Sequence, residues 1–181
     1  FLLTTGRRTE EASSLTWNQY LKGDEPRVRL FETKTSKKNK KLIFGLGDDA
    51  VKVLNLILKD RLNNPESKFY FPVNDPRNNY IFPSRDYGRK LATGKCKSLH
   101  IIDPDKTWDK SLKLGGVERH MKVYATRHTF ATNFWKQTKD LKALAQALGT
   151  TEEIALKYAK LVGDTVVDGI NKIEFFDNEK V

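Results

Sequence analysis

The chain has 181 residues, of which 38% are hydrophobic, so it can bury the core of about one domain, which argues against disorder of the whole chain. Lys and Arg number 33 against 23 Asp and Glu, a net charge of +10, which favours an acidic polymer such as nucleic acid as the partner. The single cysteine, Cys96, excludes an internal disulfide and a cysteine-rich metal site, and no apolar run or signal pattern favours a membrane or secreted protein.

The first third of the chain predicts a short helix, a hairpin and a longer helix. Thr9 is expected to cap a helix within residues 9–21, because acidic residues follow it in the first turn. Extended stretches at 28–31 and 42–44 flank a lysine-rich segment and predict a β-hairpin. Apolar residues at three- and four-residue intervals over 51–62, after an aspartate cap, predict an amphipathic core helix.

The rest of the chain predicts an irregular region followed by helices. Proline, Asn and Asp make residues 63–103 a loop with short extended pieces at 69–73 and 80–82. Four helices are expected after it: one from Asp103-Pro104 to Gly115-Gly116, one over 126–139, one from the Asp140 cap to Gly149, and one from a cap at Thr150 or Thr151 to Gly163. The tail 164–181 is too apolar for a solvated terminus, so we expect it to be covered.

The usual catalytic motifs are missing from the sequence, but three cations stand at structural boundaries. There is no glycine-rich phosphate loop and no His-Glu-x-x-His motif, so metal-dependent hydrolysis has little support. Arg8 precedes a predicted helix, Lys34 enters the predicted hairpin turn, and Arg127 lies in the first turn of a predicted helix. Each of the three is placed where it can reach a phosphate.

Residues near the start of the chain resemble a motif of a known enzyme family. The pattern is Gly-x-Arg, a Glu three residues after the Arg, and a Leu-x-Trp beyond it. Gly6, Arg8, Glu11, Leu15 and Trp17 match it in register. This pattern resembles the first conserved box of the tyrosine recombinases, the phage integrase family, and the resemblance assigns the first catalytic arginine to Arg8.

Further segments resemble the other boxes of that family, in the same order. They are the lysine turn Thr33-Lys34-Thr35, the Phe-Pro-Ser loop Tyr80–Ser84, the second arginine box Arg127–Thr132, and Leu148-Gly149 followed by Leu156–Ala159. The second arginine box is the strongest single match. The last segment places Tyr158 where the family has its nucleophile, and the order holds from residue 2 to about 162.

The resemblance implies a fold and a domain organisation. The fold class is mainly α with a small antiparallel β-sheet (α+β), as in the catalytic domain of a tyrosine recombinase. Residues 1–163 would be that domain, and because the chain opens on Phe1 within an apolar segment, we expect upstream DNA-binding domains that this sequence lacks. The tail 164–181 would dock on a neighbouring protomer in a tetramer assembled on DNA.

The resemblance also implies a metal-free strand-transfer mechanism without cofactors. Tyr158 would attack the scissile phosphate and form a 3′-phosphotyrosyl link, while Arg8 and Arg127 hold the non-bridging oxygens. Lys34 would deliver a proton to the leaving 5′ oxygen, and Glu11 would orient an arginine rather than react. The partner is double-stranded DNA, no membrane is involved, and the expected location is the nucleoid in the cytoplasm of a prokaryotic or virus-infected cell.

Two residues depart from the family pattern. Tyr124 stands three residues before Arg127, where the family usually has a histidine, and Thr150 stands where it usually has His or Trp. A neutral phenol is a poor base but a good hydrogen-bond donor, so Tyr124 is expected to donate to a phosphate oxygen. Thr150 is expected to cap the last helix in a capping box with the acidic residues that follow it.

Several alternatives remain open from the sequence. The lysines next to Lys34 are expected to form a solvated loop that grips the DNA backbone, and they are Lys37, Lys38, Lys40 and Lys41. Type IB-like topoisomerases and telomere resolvases share the same chemistry and differ in the strand that accepts the transfer. A DNA-binding module with decayed catalysis is the alternative outside the enzymes, and the two departures from the pattern favour it.

Overall fold

The computed structural model describes residues 1–30, 42–61, 63–67, 70–85, 87 and 98–160. The chain divides into two compact units, Phe1–Phe130 and Ala131–Val181, and the boundary falls within one helix. The elements are, in chain order, α1 (Leu2–Thr5), α2 (Thr9–Ser13), β1 (Tyr20–Leu21), β2 (Arg27–Leu30), β3 (Leu42–Gly45), α3 (Asp48–Arg61), α4 (Asp105–Leu114), α5 (Ala125–Thr138), α6 (Leu141–Leu148) and α7 (Glu152–Lys160). Short 3₁₀ turns lie at Trp17–Gln19 and Pro76–Asn79. The predicted class, mainly α with a small antiparallel sheet, is confirmed.

The first predicted helix is shorter than expected. Arg8 is the N-cap of α2 in an extended conformation, and its N–H donates to Glu11 Oε2 at 3.3 Å, so Thr9 is the first helical residue and not the cap. A 3₁₀ turn and the short strand β1 occupy the rest of residues 9–21. The expected helix over that range is therefore wrong beyond Ser13.

The three strands form one antiparallel sheet in the order β1-β2-β3. Arg27 pairs with Gly45 and Leu30 with Leu42, which confirms the predicted hairpin. Val28 and Leu30 are buried, whereas Arg27 is exposed, as the alternation of side chains along a strand requires. Residues 31–41, which include the predicted Lys34, lie outside the described residues.

One hydrophobic core holds the first unit together. Its buried members come from the sheet, from α3 and from the segments around them, and they are Leu15, Tyr20, Val28, Leu30, Phe44, Leu46, Ala50, Leu54 and Ile81. The helix α3 contributes Ala50 and Leu54, four residues apart on its buried face. The predicted core role of this helix is confirmed.

A buried arginine at the end of α3 anchors the Phe-Pro-Ser segment. Arg61 Nη1 donates to the carbonyl oxygen of Ile81 at 2.8 Å, and Nη2 donates to that of Asn78 at 3.3 Å. The guanidinium lies 5.7 Å from the centre of the Trp17 ring, and desolvation lowers the pKa of Arg61 to about 10. Tyr80 forms an antiparallel bridge with Thr16, so the extended piece at 80–82 is partly confirmed.

The extended piece predicted at 69–73 is not a strand in its described part, residues 70–73. Phe69 lies outside the described residues. By contrast α4 lies where the proline and glycine signals predicted it, and Asp103 Oδ1 accepts the N–H of Asp105 at 3.0 Å. None of the helices in the described part of the chain is long and apolar enough to cross a membrane.

In the second unit, α6 and α7 pack against each other. Asp140 accepts the N–H of Ala143 at 2.9 Å and Gly149 adopts a left-handed conformation with φ 61°, which confirms the predicted start and stop of α6. Thr151 directly precedes α7, so the expected cap at Thr150 is wrong. The N–H of Thr150 donates to the carbonyl oxygen of Ala145 in α6 at 3.0 Å. The hydroxyl of Thr151 instead accepts the N–H of Ile154 at 3.4 Å.

The two threonines provide a matched test of this helix cap. Thr151→Ala should lower the free energy of unfolding by about 1 kcal/mol, because the α7 N–H loses its acceptor. Thr150→Ala should change it much less, because only the backbone of Thr150 makes a described hydrogen bond. Urea denaturation of both variants measures the difference, and equal losses would contradict the assignment.

Candidate active site

Arg127 joins the start of the chain to α5. Its Nη1 donates to the carbonyl oxygen of Gly6 at 2.7 Å, although the two residues are 121 positions apart, and Arg127 is only 1% exposed. Gly6 has φ 60°, and a Cβ on it would overlap the ring of Phe130. Glycine is therefore required at this position, because the backbone is left-handed and the ring approaches it closely.

Glu11 is shared between two neighbouring arginines. Its Oε1 accepts from Arg8 Nη1 at 2.8 Å, and its Oε2 accepts the backbone N–H of Arg8 at 3.3 Å. Oε2 also lies 3.9 Å from Nη1 of Arg7. The side chain of Arg8 is 28% exposed, so its guanidinium is held by Glu11 and still reaches solvent.

Arg7 is buried next to Arg8 and Glu11. Its guanidinium lies 4.4 Å from the centre of the Phe44 ring in β3, and its side chain has no exposed area. Desolvation is the main cause that lowers its pKa to about 10, and Arg127 and Arg8 lower it further while Glu11 raises it. The sequence alone assigned no role to Arg7, because two adjacent arginines do not show which of them faces inward.

Tyr124 lies directly before α5 and is 45% exposed. Its ring meets the ring of His128 edge-on, with 5.2 Å between the centroids, since the two residues are one helical turn apart. The first unit thus places Arg8, Arg127 and an exposed phenol near the N-terminus of a helix of 14 residues. Such an arrangement suits the binding of a phosphate group.

A row of lysines on α4 forms a second cationic feature of the first unit. Lys106, Lys110 and Lys113 are all exposed and recur after four and three residues, so they share one face of the helix. Trp108 Nε1 donates to the carbonyl oxygen of Met121 at 2.5 Å, which ties α4 to the segment that leads to Tyr124. The spacing of these lysines is visible in the sequence, but it is also typical of an ordinary solvated helix face, so it did not predict a site.

The remaining predicted site residues lie elsewhere. Tyr158 is in the second unit, on α7, and is 5% exposed. Thr150, also in that unit, lies just after the Gly149 stop of α6. Lys34, the neighbouring lysines Lys37, Lys38, Lys40 and Lys41, and the tail 164–181 lie outside the described residues. Within the described ranges, no group of three or more His, Cys, Asp or Glu residues is placed to hold a metal ion.

Residues 1–160 match the family model for the phage integrase family. A comparison with curated protein sequences gave no match. The match to the family model includes every segment from α1 to α7.

Solved structures share the fold at low sequence identity. The chain is similar to the site-specific recombinase XerH bound to its difH substrate in a pre-cleavage complex, with 17% identity, a TM-score of 0.62, and coverage of 95% of this chain and 43% of XerH. It is similar to XerA recombinase, with 20% identity, a TM-score of 0.64, and coverage of 96% and 55%. It is also similar to the Tn1549 transposon integrase in complex with circular intermediate DNA, with 17% identity, a TM-score of 0.57, and coverage of 94% and 53%. The chain therefore spans about half the length of these proteins.

Replacing the shared carboxylate tests the electrostatics of the site. Glu11→Gln should lower the free energy of unfolding by about 3 kcal/mol, because the buried Arg7 loses a negative charge that offsets its desolvation. Glu10→Gln, one residue earlier on the same helix at an exposed position, should change it by less than about 0.5 kcal/mol. Chemical denaturation measures both variants, and a Glu11 variant as stable as the Glu10 variant would show that Glu11 does not stabilise the arginines.

Proposed function

The chain belongs to the phage integrase family, and we propose that it cuts and rejoins DNA at specific sites through a covalent bond between Tyr158 and a 3′ phosphate. The observation that carries this proposal is the pairing of two arginines at one site. Arg127 is fixed by the backbone of Gly6, and Arg8 is fixed by Glu11 with its guanidinium still reaching solvent. Two such groups support phosphoryl transfer without a metal ion.

The proposed reaction exchanges one phosphate ester for another. The hydroxyl oxygen of Tyr158 attacks the phosphorus atom, the bond to the 5′ oxygen breaks, and that oxygen leaves as a hydroxyl after it takes a proton. A free 5′ hydroxyl of a partner strand then attacks the phosphotyrosine and releases Tyr158. Because each step replaces one ester bond by another, the reaction needs no ATP and no cofactor.

The two arginines would stabilise the charge that develops during attack. A guanidinium is planar and permanently charged, and its forked N–H groups match two phosphate oxygens. A free phenol ordinarily titrates at ~10, so attack by Tyr158 at neutral pH requires this positive field. The role of Lys34 as the proton donor to the leaving oxygen stays a prediction from the family resemblance.

Tyr124 would replace the usual histidine of the family as a hydrogen-bond donor. It is exposed, and it lies three residues before Arg127 at the start of α5. The phenol would donate to a non-bridging oxygen, while water or the phosphate itself accepts the proton of Tyr158.

Double-stranded DNA is the proposed substrate. The net charge of +10 and the exposed lysine row of α4 support binding to a phosphate backbone. Docking of the tail 164–181 on a neighbouring protomer in a tetramer stays a prediction, and so do the upstream DNA-binding domains. We place the protein with the chromosome in the cytoplasm of a prokaryotic or virus-infected cell, because that is where its substrate would be.

One kind of substrate distinguishes the proposed recombinase from two alternatives, a topoisomerase-like enzyme and a module with decayed catalysis. A suicide substrate, nicked near the crossover, traps the covalent adduct of any enzyme of this chemistry. Strand joining between two duplexes then indicates a recombinase, whereas resealing within one duplex indicates a topoisomerase-like activity. A module with decayed catalysis, which Tyr124 and Thr150 favour, would bind the DNA and form no adduct.

The nucleophile is tested by removing one oxygen atom. Tyr158→Phe should abolish the covalent adduct and leave the affinity for DNA nearly unchanged, because only the attacking group is lost. Tyr20→Phe is the matched control, since Tyr20 is a buried tyrosine of the hydrophobic core. Denaturing gel electrophoresis of the protein–DNA adduct measures both, and an adduct that survives in Tyr158→Phe would place the nucleophile elsewhere.

The role of Tyr124 is tested by two substitutions. Tyr124→Phe should slow cleavage roughly 100-fold, the effect of losing one donor to the transition state. Tyr124→His should restore much of the rate and add a titration at about 6.5 to the pH–rate profile, because an imidazole ionises there. Single-turnover cleavage across pH measures both effects, and a full rate in Tyr124→Phe would show that this tyrosine only fills space.

A further inference from the structure

Arg7 is a buried cation that lies between the aromatic ring of Phe44 and the carboxylate of Glu11. Its guanidinium lies against Phe44, which belongs to the hydrophobic core of the first unit. The other buried members of that core are apolar or aromatic, and the side chain of Arg7 has no exposed area. A buried charge can often be replaced by an apolar side chain of similar volume without loss of stability. Stability alone therefore does not explain an arginine at this position.

The geometry around Glu11 shows how Arg7 affects the contact between Glu11 and Arg8. Oε1 of Glu11 makes the short contact with Arg8 Nη1, at 2.8 Å, whereas Oε2 faces Arg7 at 3.9 Å and the backbone N–H of Arg8 at 3.3 Å. The carboxylate is thus divided between two guanidiniums. If Arg7 were neutral, both oxygens could bind the Arg8 guanidinium in the paired arrangement that arginine and carboxylate prefer. The Arg8 N–H groups would then be occupied by protein.

The charges around Arg7 also favour the binding of a phosphate. Glu11 favours the charged form of Arg7, whereas Arg127 and Arg8 oppose it, so the three guanidiniums repel one another. An incoming phosphate would relieve that repulsion, and the relief is large where the dielectric constant is low. The relief increases further as negative charge develops on the phosphoryl oxygens during attack.

We infer that Arg7 is a positioning residue for the proposed strand transfer. Its charge attracts one oxygen of Glu11, 3.9 Å away, which keeps the guanidinium of Arg8 available to the scissile phosphate, and it adds buried positive charge next to the site. Arg7 does not touch the DNA and acts through Glu11 and Arg8. The inference rests on the proposed function, in which Arg8 binds the phosphate.

Four variants of the full chain test this role. Arg7→Met and Arg7→Gln remove the charge, Arg7→Lys keeps it, and Arg61→Met is the matched control. Arg61 is also a buried arginine of the first unit next to an aromatic ring, but it donates to the backbone oxygens of Asn78 and Ile81 and to none of the site residues described above. Single-turnover cleavage of a suicide substrate at saturating DNA, the DNA affinity and the melting temperature are measured for each variant.

We expect Arg7→Met and Arg7→Gln to slow cleavage roughly tenfold or more, while the DNA affinity changes less than about twofold, because the lost stabilisation belongs to the transition state. Arg7→Lys should recover most of the rate. Arg61→Met should lower the melting temperature and slow cleavage by the folded protein much less than Arg7→Met does. This separation of rate from affinity and stability is not expected of a residue that only supports the fold.

The outcomes that overturn the inference are equally specific. A full cleavage rate in Arg7→Met, or in Arg7→Gln if the Met variant does not fold, shows that the charge of Arg7 has no role in the reaction. A loss of rate in Arg61→Met equal to that in Arg7→Met shows a general effect of losing a buried arginine. If the unmodified chain forms no adduct, or Tyr158→Phe still forms one, the proposed function or its nucleophile fails instead.

Discussion

The guanidinium of Arg127 donates to the carbonyl oxygen of Gly6 at 2.7 Å, and the other features of the first unit's site follow from that contact. It holds the turn before α2 against the first turn of α5, so the motif that contains Arg8 and Glu11 and the segment that contains Tyr124 meet at one place. Gly6 makes the approach possible because a side chain there would overlap Phe130. The carbonyl oxygen of Gly6 therefore fixes the position of Arg127 and, through the adjacent residues, that of Arg8.

Two of the buried arginines, Arg61 and Arg7, have different partners. Arg61 gives its N–H groups to the carbonyl oxygens of Asn78 and Ile81, which satisfies the cation with neutral dipoles and fixes a loop. Arg7 faces the carboxylate of Glu11 with two other guanidiniums in electrostatic range. Burial lowers the pKa of both residues to about 10, yet both stay charged at neutral pH. Only at Arg7 does the charge lie among residues that would bind a phosphate.

The helices α3 to α7 were predictable from the sequence because they depend on local signals, whereas the four-residue α1 was not predicted and α2 ends earlier than expected. The Asp140 cap and the Gly149 stop fixed α6, and regular apolar spacing fixed α3. The strand β1 was not predictable, since two residues give no periodicity and it forms only by pairing with β2. The same limit applies to the site: the motifs identified Arg8 and Arg127, but the burial of Arg7 depends on the packing of Phe44 from a distant strand. Both β1 and the burial of Arg7 depend on contacts between segments that are far apart in the sequence, and local sequence patterns do not reveal such contacts.

The 121 positions between Gly6 and Arg127 also have a consequence for how the protein is made. Closing so long a loop carries a large loss of chain entropy, which must be offset by contacts formed elsewhere, so this contact forms with or after the core of the first unit. During synthesis the motif around Arg8 leaves the ribosome long before α5 does. A nascent chain therefore lacks the paired arginines until most of it has been translated, and a prematurely terminated chain that ends before Arg127 cannot assemble them at all.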